Sequence, residues 1–231
     1  MHAAAIETDA GRGQARARRV AGLYALTPDV DDTPRLLAQV AAALDGGAAA
    51  VQYRHKTASA TLRREQAAAL AHLHAARDAL FIVNDDAALA AAVGADGVHL
   101  GEGDGDIAAA RARLGPERLI GVSCYNDFAR AASAVAAGAD YVAFGSFFPS
   151  PTKSDARHAD IALLARARAL GVPVVAIGGI DAGNARALID AGADAVAVIS
   201  AVFAFDRCSE ITAAAAALAA CFRTPTVPRP S

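Results

Sequence analysis

Hydrophobic and polar positions alternate on two length scales along this chain. Short runs of apolar and β-branched residues recur, separated by stretches rich in Ala, Leu and Arg that have helical character. The runs are "LYALT" from Leu23, "AAVQYR" from Ala49, "LFIVN" from Leu80 and "GVHLG" from Gly97. Four more follow: "LIGVSC" from Leu119, "YVAFG" from Tyr141, "VPVVAIGG" from Val172 and "AVAVISA" from Ala195. Each predicts a strand. The segments between them, such as "ATLRREQAAALAHLHAARDA" from Ala60 and "IALLARARALG" from Ile161, predict helices.

A repeat supports this reading. "VGADGV" at Val93, "AGADYV" at Ala137 and "AGADAV" at Ala191 share one pattern, and "DGGAAAV" at Asp45 is a looser copy. In each, Gly suits a helix end, a polar step follows and a strand begins. Strands in strict alternation with helices imply a parallel sheet covered on both faces. Eight such units in about 200 residues predict an α/β fold with a single (β/α)8 TIM barrel, near the lower size limit of that architecture. A doubly wound open sheet is the alternative. It would place GxGxxG after the first strand, where "LTPDVDDTP" stands instead.

The barrel domain is expected over residues 21–222, between a disordered N-terminal arm (1–20) and a loose tail (223–231) whose three prolines cannot continue a helix. The chain has 231 residues, 55% hydrophobic and 20% charged, with 22 Lys plus Arg against 24 Asp plus Glu. That balance carries no electrostatic footprint for nucleic acid. No apolar run is long enough to span a bilayer, and the first twenty residues lack the apolar core of a signal peptide. Three scattered cysteines, Cys124, Cys208 and Cys221, make neither a disulfide framework nor a zinc site. A cytoplasmic protein is expected. Its Ala-rich helices are compatible with a homo-oligomer.

In a barrel the chemistry gathers where strands end. After the second strand come Gln52, Arg54 and Lys56, at alternate positions and so on one side of an extended segment. The third leads to Asn84, Asp85 and Asp86, and the fourth to "GEGDGD" with Asp104 and Asp106. The fifth ends at Ser123. The sixth runs into "FGSFFPSPTKSD", where Pro149 and Pro151 stiffen a connector that carries Ser150, Thr152 and Lys153. Gly178-Gly179 follow the seventh strand and Ile199-Ser200 the eighth, the usual place for a barrel's backbone phosphate site.

The set has one chemical sense. Arg54, Lys56 and Lys153 suit a highly charged anion. Asp85 and Asp104 suit magnesium, which takes one or two protein carboxylates and completes its octahedron with water and phosphates. Asp86 and Asp106 read as helix N-caps. The six histidines show no metal spacing, and His99, within a strand, reads as a packed or hydrogen-bonded residue. Ser123 and Cys124 have no His or Asp placed by motif to activate them. The site is therefore expected to work by electrostatics on two phosphate-bearing small molecules, one of them with a metal.

"VQYRHK", "IVNDD", "GVHLGEGD", "IGVSC", "GADYVAFGSFFPSPTKSDA", "VVAIGGI" and "GADAVAVISAVF" resemble, in order, the motif blocks of thiamine-phosphate synthases, across residues 22–205. The resemblance implies a (β/α)8 barrel, a Mg2+ requirement and the joining of hydroxymethylpyrimidine diphosphate to hydroxyethylthiazole phosphate, or its carboxylated form, with release of pyrophosphate. Gln52, Arg54, Lys56 and Asn84 match positions that contact the pyrimidine diphosphate, and Asp85 and Asp104 match the magnesium ligands. Ser123 and Lys153 match diphosphate contacts and, with Arg54, are the expected catalytic residues. Ser150, Thr152, Gly179, Ile199 and Ser200 match the thiazole phosphate site. The chain departs from the family pattern at Tyr53, His55, Asp86, Ser150 and near Tyr125. A thiazole tautomerase, or a barrel that only senses a phosphate ligand, are the rival readings; the tautomerase would not need Gln52, Arg54, Lys56, Asp85 and Asp104 together.

Overall fold

The computed structural model describes residues 20–103, 106–149 and 159–223. Its strands are β1 (Gly22–Leu26), β2 (Ala48–Tyr53), β3 (Leu80–Asn84), β4 (Gly97–Leu100), β5 (Leu119–Tyr125), β6 (Tyr141–Phe144), β7 (Val174–Ile177) and β8 (Ala195–Val198). They pair in sequence order, all parallel, and β8 closes onto β1. The barrel reading holds and the open sheet does not.

All eight expected strands form, and the differences lie at their ends. β7 starts at Val174, two residues later than the apolar run suggests, because Pro173 has no N–H to give to a ladder. β8 stops at Val198, where Ile199 leaves extended geometry and a four-residue helix begins.

The helices are α1 (Thr33–Asp45), α2 (Ala60–His74), α3 (Ala87–Val93), α4 (Ile107–Leu114), α5 (Phe128–Ala136), α6 (Ala162–Ala167), α7 (Ala185–Ala191), α8 (Ser200–Phe203) and α9 (Cys208–Ala220). Those from α1 to α5 start on side-chain caps: Asp32, Ser59, Asp86, Asp106 and Asp127 each accept from amides of the first turn. Such a cap stabilises a helix by about 1 kcal/mol. The capping expected of Asp86 and Asp106 is present. α2 stops at His74, short of the predicted helical stretch, so that the chain can turn into β3 at Leu80.

Strand alternation sorts the core into two parts. Tyr24, Leu26, Ala50, Leu80, Ile82, Leu119, Tyr141 and Val175 point into the barrel, with Val20 packed among them. Leu23, Ala25, Val51, Phe81 and Val83 point outward against the helices. Gly121 makes room inside: a Cβ there would sit 2.0 Å from Tyr141 Cζ.

The GAD repeats serve one purpose at the rim where strands begin. Asp96 donates its amide to Phe81 O (2.8 Å), and its carboxylate accepts the Phe81 amide (2.9 Å). Asp140 does the same with Ile120 (2.8 and 2.7 Å), and Asp194 with Val174 (2.8 and 2.8 Å). Each Asp thus clips the start of its own strand to the strand before it. The looser copy at Asp45 has an alanine, Ala49, where the others have the aspartate and so lacks the carboxylate.

Candidate active site

At the opposite rim, where strands end, a cleft of about 580 Å3 opens into the barrel. Of the sequence-predicted residues, Gln52, Arg54 and Lys56 line it from β2 and the residues just beyond. Asn84 and Asp85 line it from the end of β3, Ser123 from β5, Gly179 from beyond β7, and Ile199 and Ser200 from beyond β8. One cleft holds them all. Asp104, Ser150, Thr152 and Lys153 lie outside the described residues. A smaller cavity of about 240 Å3 adjoins it between β2, β3 and their helices, sharing Lys56, Asn84 and Asp85 and adding His55, Arg63 and Asp86.

The loop after β1 braces the cationic side. Asp29 lies 3.5 Å from the Arg54 guanidinium and accepts the Lys56 amide at 3.3 Å. Thr27, fully buried, accepts the Arg54 amide (2.8 Å) and donates to the Arg54 carbonyl (3.0 Å). Tyr53, between the cleft residues, points the other way and donates to Gln66. The alternation read from sequence is therefore real.

Backbone outliers concentrate at this rim. The non-glycine residues with positive φ among those described are Asp85 (62°) and Tyr125 (54°), and both line the cleft. Such residues cost free energy and persist where surrounding structure enforces them, often at functional sites. Gly178 (φ 105°) and Gly179 (φ 66°) adopt a backbone that only glycine tolerates well. They are also crowded: a Cβ would meet Ser146 Oγ at 2.2 Å from Gly178 and Pro149 O at 2.4 Å from Gly179. The glycine pair is thus required by the turn after β6 packing against it. Ser146 anchors that turn, donating to Phe148 O (2.8 Å) and accepting the Ala159 amide (2.7 Å) at its carbonyl.

Sequence reasoning missed how the interior polar groups connect. His99 contacts Ser123 Oγ through Nε2 (2.9 Å) and Tyr141 OH through Nδ1 (3.1 Å). Tyr141 OH lies 3.0 Å from Tyr24 OH, which accepts from Gln52 Nε2 at 3.0 Å. Burial pushes His99 down to about 4 and Tyr24 up to about 12, and raises Tyr141 well above its ordinary range, so all three are neutral at pH 7. The hydrogen-bonded histidine was expected; its partners were not. The signal was there in principle, since Tyr24, His99 and Tyr141 are polar-tipped residues inside apolar strands.

Cys124 is buried and its thiol is pushed up to about 12 by burial, so it offers no thiolate. All three cysteines are free. Among the described residues no group of three or more His, Cys, Asp or Glu is placed to hold a metal, and no helix is long and apolar enough to cross a membrane.

A closed eight-stranded parallel barrel with its polar side chains gathered at the strand ends is a (β/α)8 barrel of the kind that carries enzymes. The profile of the thiamine monophosphate synthase family matches residues 23–202. The chain belongs to that family, and its activity is thiamine-phosphate synthesis, a transferase reaction. It is 59% identical over 184 residues to the thiamine-phosphate synthase of Methylobacillus flagellatus, covering 80% of this chain and 88% of that one. With the thiamine-phosphate synthase of Chromobacterium violaceum it shares 58% over 204 residues, 88% of this chain and 97% of the other. The solved thiamine phosphate pyrophosphorylase from Pyrococcus furiosus superposes with a TM-score of 0.79 at 37% identity, covering 89% of this chain and 97% of its own.

Proposed function

We propose that the cleft binds hydroxymethylpyrimidine diphosphate toward β2, β3 and β5, and hydroxyethylthiazole phosphate, or its carboxylated form, toward β7 and β8. The observation that carries this division is that Arg54, Lys56 and Asp85 share one cleft with Gly179 and Ser200. With Ser123 of β5 counted on the diphosphate side, β1 stands between the two groups on one side and β6 on the other. Gln52 and Asn84 contact the pyrimidine diphosphate, while Arg54, Lys56, Ser123 and Lys153 meet its phosphates. Ser150, Thr152, Gly179, Ile199 and Ser200 hold the thiazole phosphate. Pro149 lines the cleft, and the four residues from there to Lys153 can span at most about 14 Å, a reach that favours this role.

The donor chemistry fits magnesium. Asp85 presents a carboxylate on the cleft, and Asn84 Nδ2 donates to it. A hard cation that takes few protein carboxylates alongside phosphate oxygens suits this arrangement, with Asp104 as the second carboxylate. When bound, the metal would supply positive charge against the diphosphate oxygens.

The chain's own residues then stabilise a leaving group. The C–O bond to diphosphate breaks and the electron pair departs with the diphosphate, leaving a pyrimidinylmethyl cation. The thiazole nitrogen donates its lone pair to that carbon and forms the new C–N bond. Arg54 and Lys153 neutralise charge on the departing diphosphate, and the two binding sides fix the line of attack. Such a substitution requires no activated nucleophile, in keeping with the inert Cys124.

Calorimetry and a coupled assay for thiamine phosphate test the reading. Pyrimidine diphosphate should bind only with Mg2+, and Asp85→Ala or Asp104→Ala should weaken it while leaving thiazole phosphate binding unchanged. Equal loss of both ligands would overturn the division. Turnover of the thiazole substrate alone would favour tautomerase chemistry instead.

A further inference from the structure

The chain Gln52–Tyr24–Tyr141–His99–Ser123 has a single consistent direction. An amide nitrogen can only donate, so the Gln52 Nε2 contact makes Tyr24 the acceptor. The Tyr24 proton is satisfied among the described residues only by its other oxygen partner, Tyr141, which gives the contact its direction. Tyr141, already accepting, gives its own proton to His99 Nδ1. A neutral imidazole carries one proton, which is now placed on Nε2 and donated to Ser123 Oγ. The Ser123 hydroxyl proton has no other acceptor among the described residues and is left for the cleft that Ser123 lines.

Every intermediate member of the chain is buried: Tyr24 is 2% exposed, Tyr141 fully buried and His99 7% exposed. The rings pack as well as bond, with Tyr24 edge-on to Tyr141 at 6.3 Å between centroids and His99 at 5.5 Å.

We propose that His99 is a positioning residue which, held as its Nε2–H tautomer by the Gln52–Tyr24–Tyr141 chain, turns the Ser123 hydroxyl into a fixed donor for an anionic oxygen of the diphosphate substrate. The role rests on the reading of Ser123 as a diphosphate contact. With the opposite polarity, Ser123 would spend its proton on His99 and face the phosphate with lone pairs. The chain has a second consequence: Gln52, anchored through its nitrogen, keeps its carbonyl oxygen for the pyrimidine side.

Two experiments test this independently. Long-range 1H–15N correlation on the full-length protein labelled at histidine nitrogen reads the tautomer directly, with the spectrum of His99→Gln assigning the His99 signals. The expected result is a protonated Nε2 and an unprotonated Nδ1, with the Nδ1 resonance moving in Tyr141→Phe. A protonated Nδ1 would overturn the chain.

The second is steady-state kinetics with pyrimidine diphosphate and thiazole phosphate. His99→Asn loses the donor that Nε2 supplies, and KM for the diphosphate should rise about tenfold; His99→Gln, whose amide nitrogen can take that place, should lose about threefold or less. KM for thiazole phosphate should stay level in both. On a Ser123→Ala background, His99→Asn should add nothing. Equal losses in the two variants, or a parallel rise for thiazole phosphate, would reduce His99 to packing and overturn the role. A Ser123→Ala protein with unchanged diphosphate KM would overturn the Ser123 contact and this role with it, whereas the tautomer spectrum would still report the chain itself.

Discussion

Thr27 and Arg54 hold one another by two hydrogen bonds across the β1–β2 seam: the Arg54 amide donates to Thr27 Oγ1, which donates in turn to the Arg54 carbonyl. A buried hydroxyl on one strand thereby fixes the backbone that aims a cation on the next. Thr27→Val keeps the shape and removes both bonds, leaving a buried amide without its partner. We expect KM for the diphosphate substrate to rise about tenfold, KM for thiazole phosphate to stay level, and Thr27→Ser to recover most of the loss. Steady-state kinetics on the three proteins decide it.

Gly179→Ala is expected to act on the other substrate. A methyl group there would meet Pro149 O at 2.4 Å and Phe148 O at 2.6 Å on a backbone of φ 66°. The turn after β6 must move, and KM for thiazole phosphate should rise about tenfold or more while circular dichroism shows a folded barrel. An unchanged KM would show that the glycine serves packing alone.

The clips at the far rim should govern stability without touching chemistry. Asp140 accepts from both the Ile120 amide and Arg111, whereas Asp194 accepts the Val174 amide and, among the described residues, pairs with no cation. Asp140→Ala should therefore cost roughly 2 kcal/mol and Asp194→Ala roughly 1 kcal/mol. Urea unfolding measures both, and the kcat of the folded variants should match the parent. The reverse order of destabilisation would count against the Arg111 contribution.

His74 predicts a pH dependence. It stacks on Phe81 at 4.9 Å, its Nδ1 faces the Leu70 carbonyl at 2.8 Å, and its Nε2 is buried with no hydrogen-bond partner among the described residues. Burial holds its pKa below the usual histidine value; the Leu70 carbonyl and Asp96 oppose that, and Arg77 adds to it. Above a pH of about 6.5 the ring is neutral in both folded and unfolded chains and contributes no slope. As pH falls below that, the unfolded chain takes the proton first, so stability is lost until the folded value is reached. Urea midpoints at pH 7.5 and pH 5 should differ less in His74→Gln than in the parent. His99, depressed in the same sense, keeps the difference from vanishing.

The strands and the rim residues were legible because both follow a local rule. β-branched runs such as "LFIVN" bury one way or the other by alternation, and Gln52, Arg54 and Lys56 inherit a common side from it. Asp86 and Asp106 were legible as caps for the same reason, since a cap speaks only to its own helix. The chain through Tyr24, Tyr141 and His99 obeys no such rule. Tyr24 and Tyr141 are 117 residues apart and meet only because the barrel closes. Thr27 and Asp29 escaped notice likewise, their partners lying on the neighbouring strand. Strand ends were misjudged where one residue overrides a run, as Pro173 does before β7.

The three aspartate clips have a consequence for how this protein can change over time. They secure alternate seams, β3 with β4, β5 with β6 and β7 with β8, using groups at the rim opposite the cleft. Integrity and chemistry are thus lodged at opposite poles of the barrel. Mutations that retune the loops for a different heterocycle or a different anion can accumulate at one pole while the other keeps the staves together.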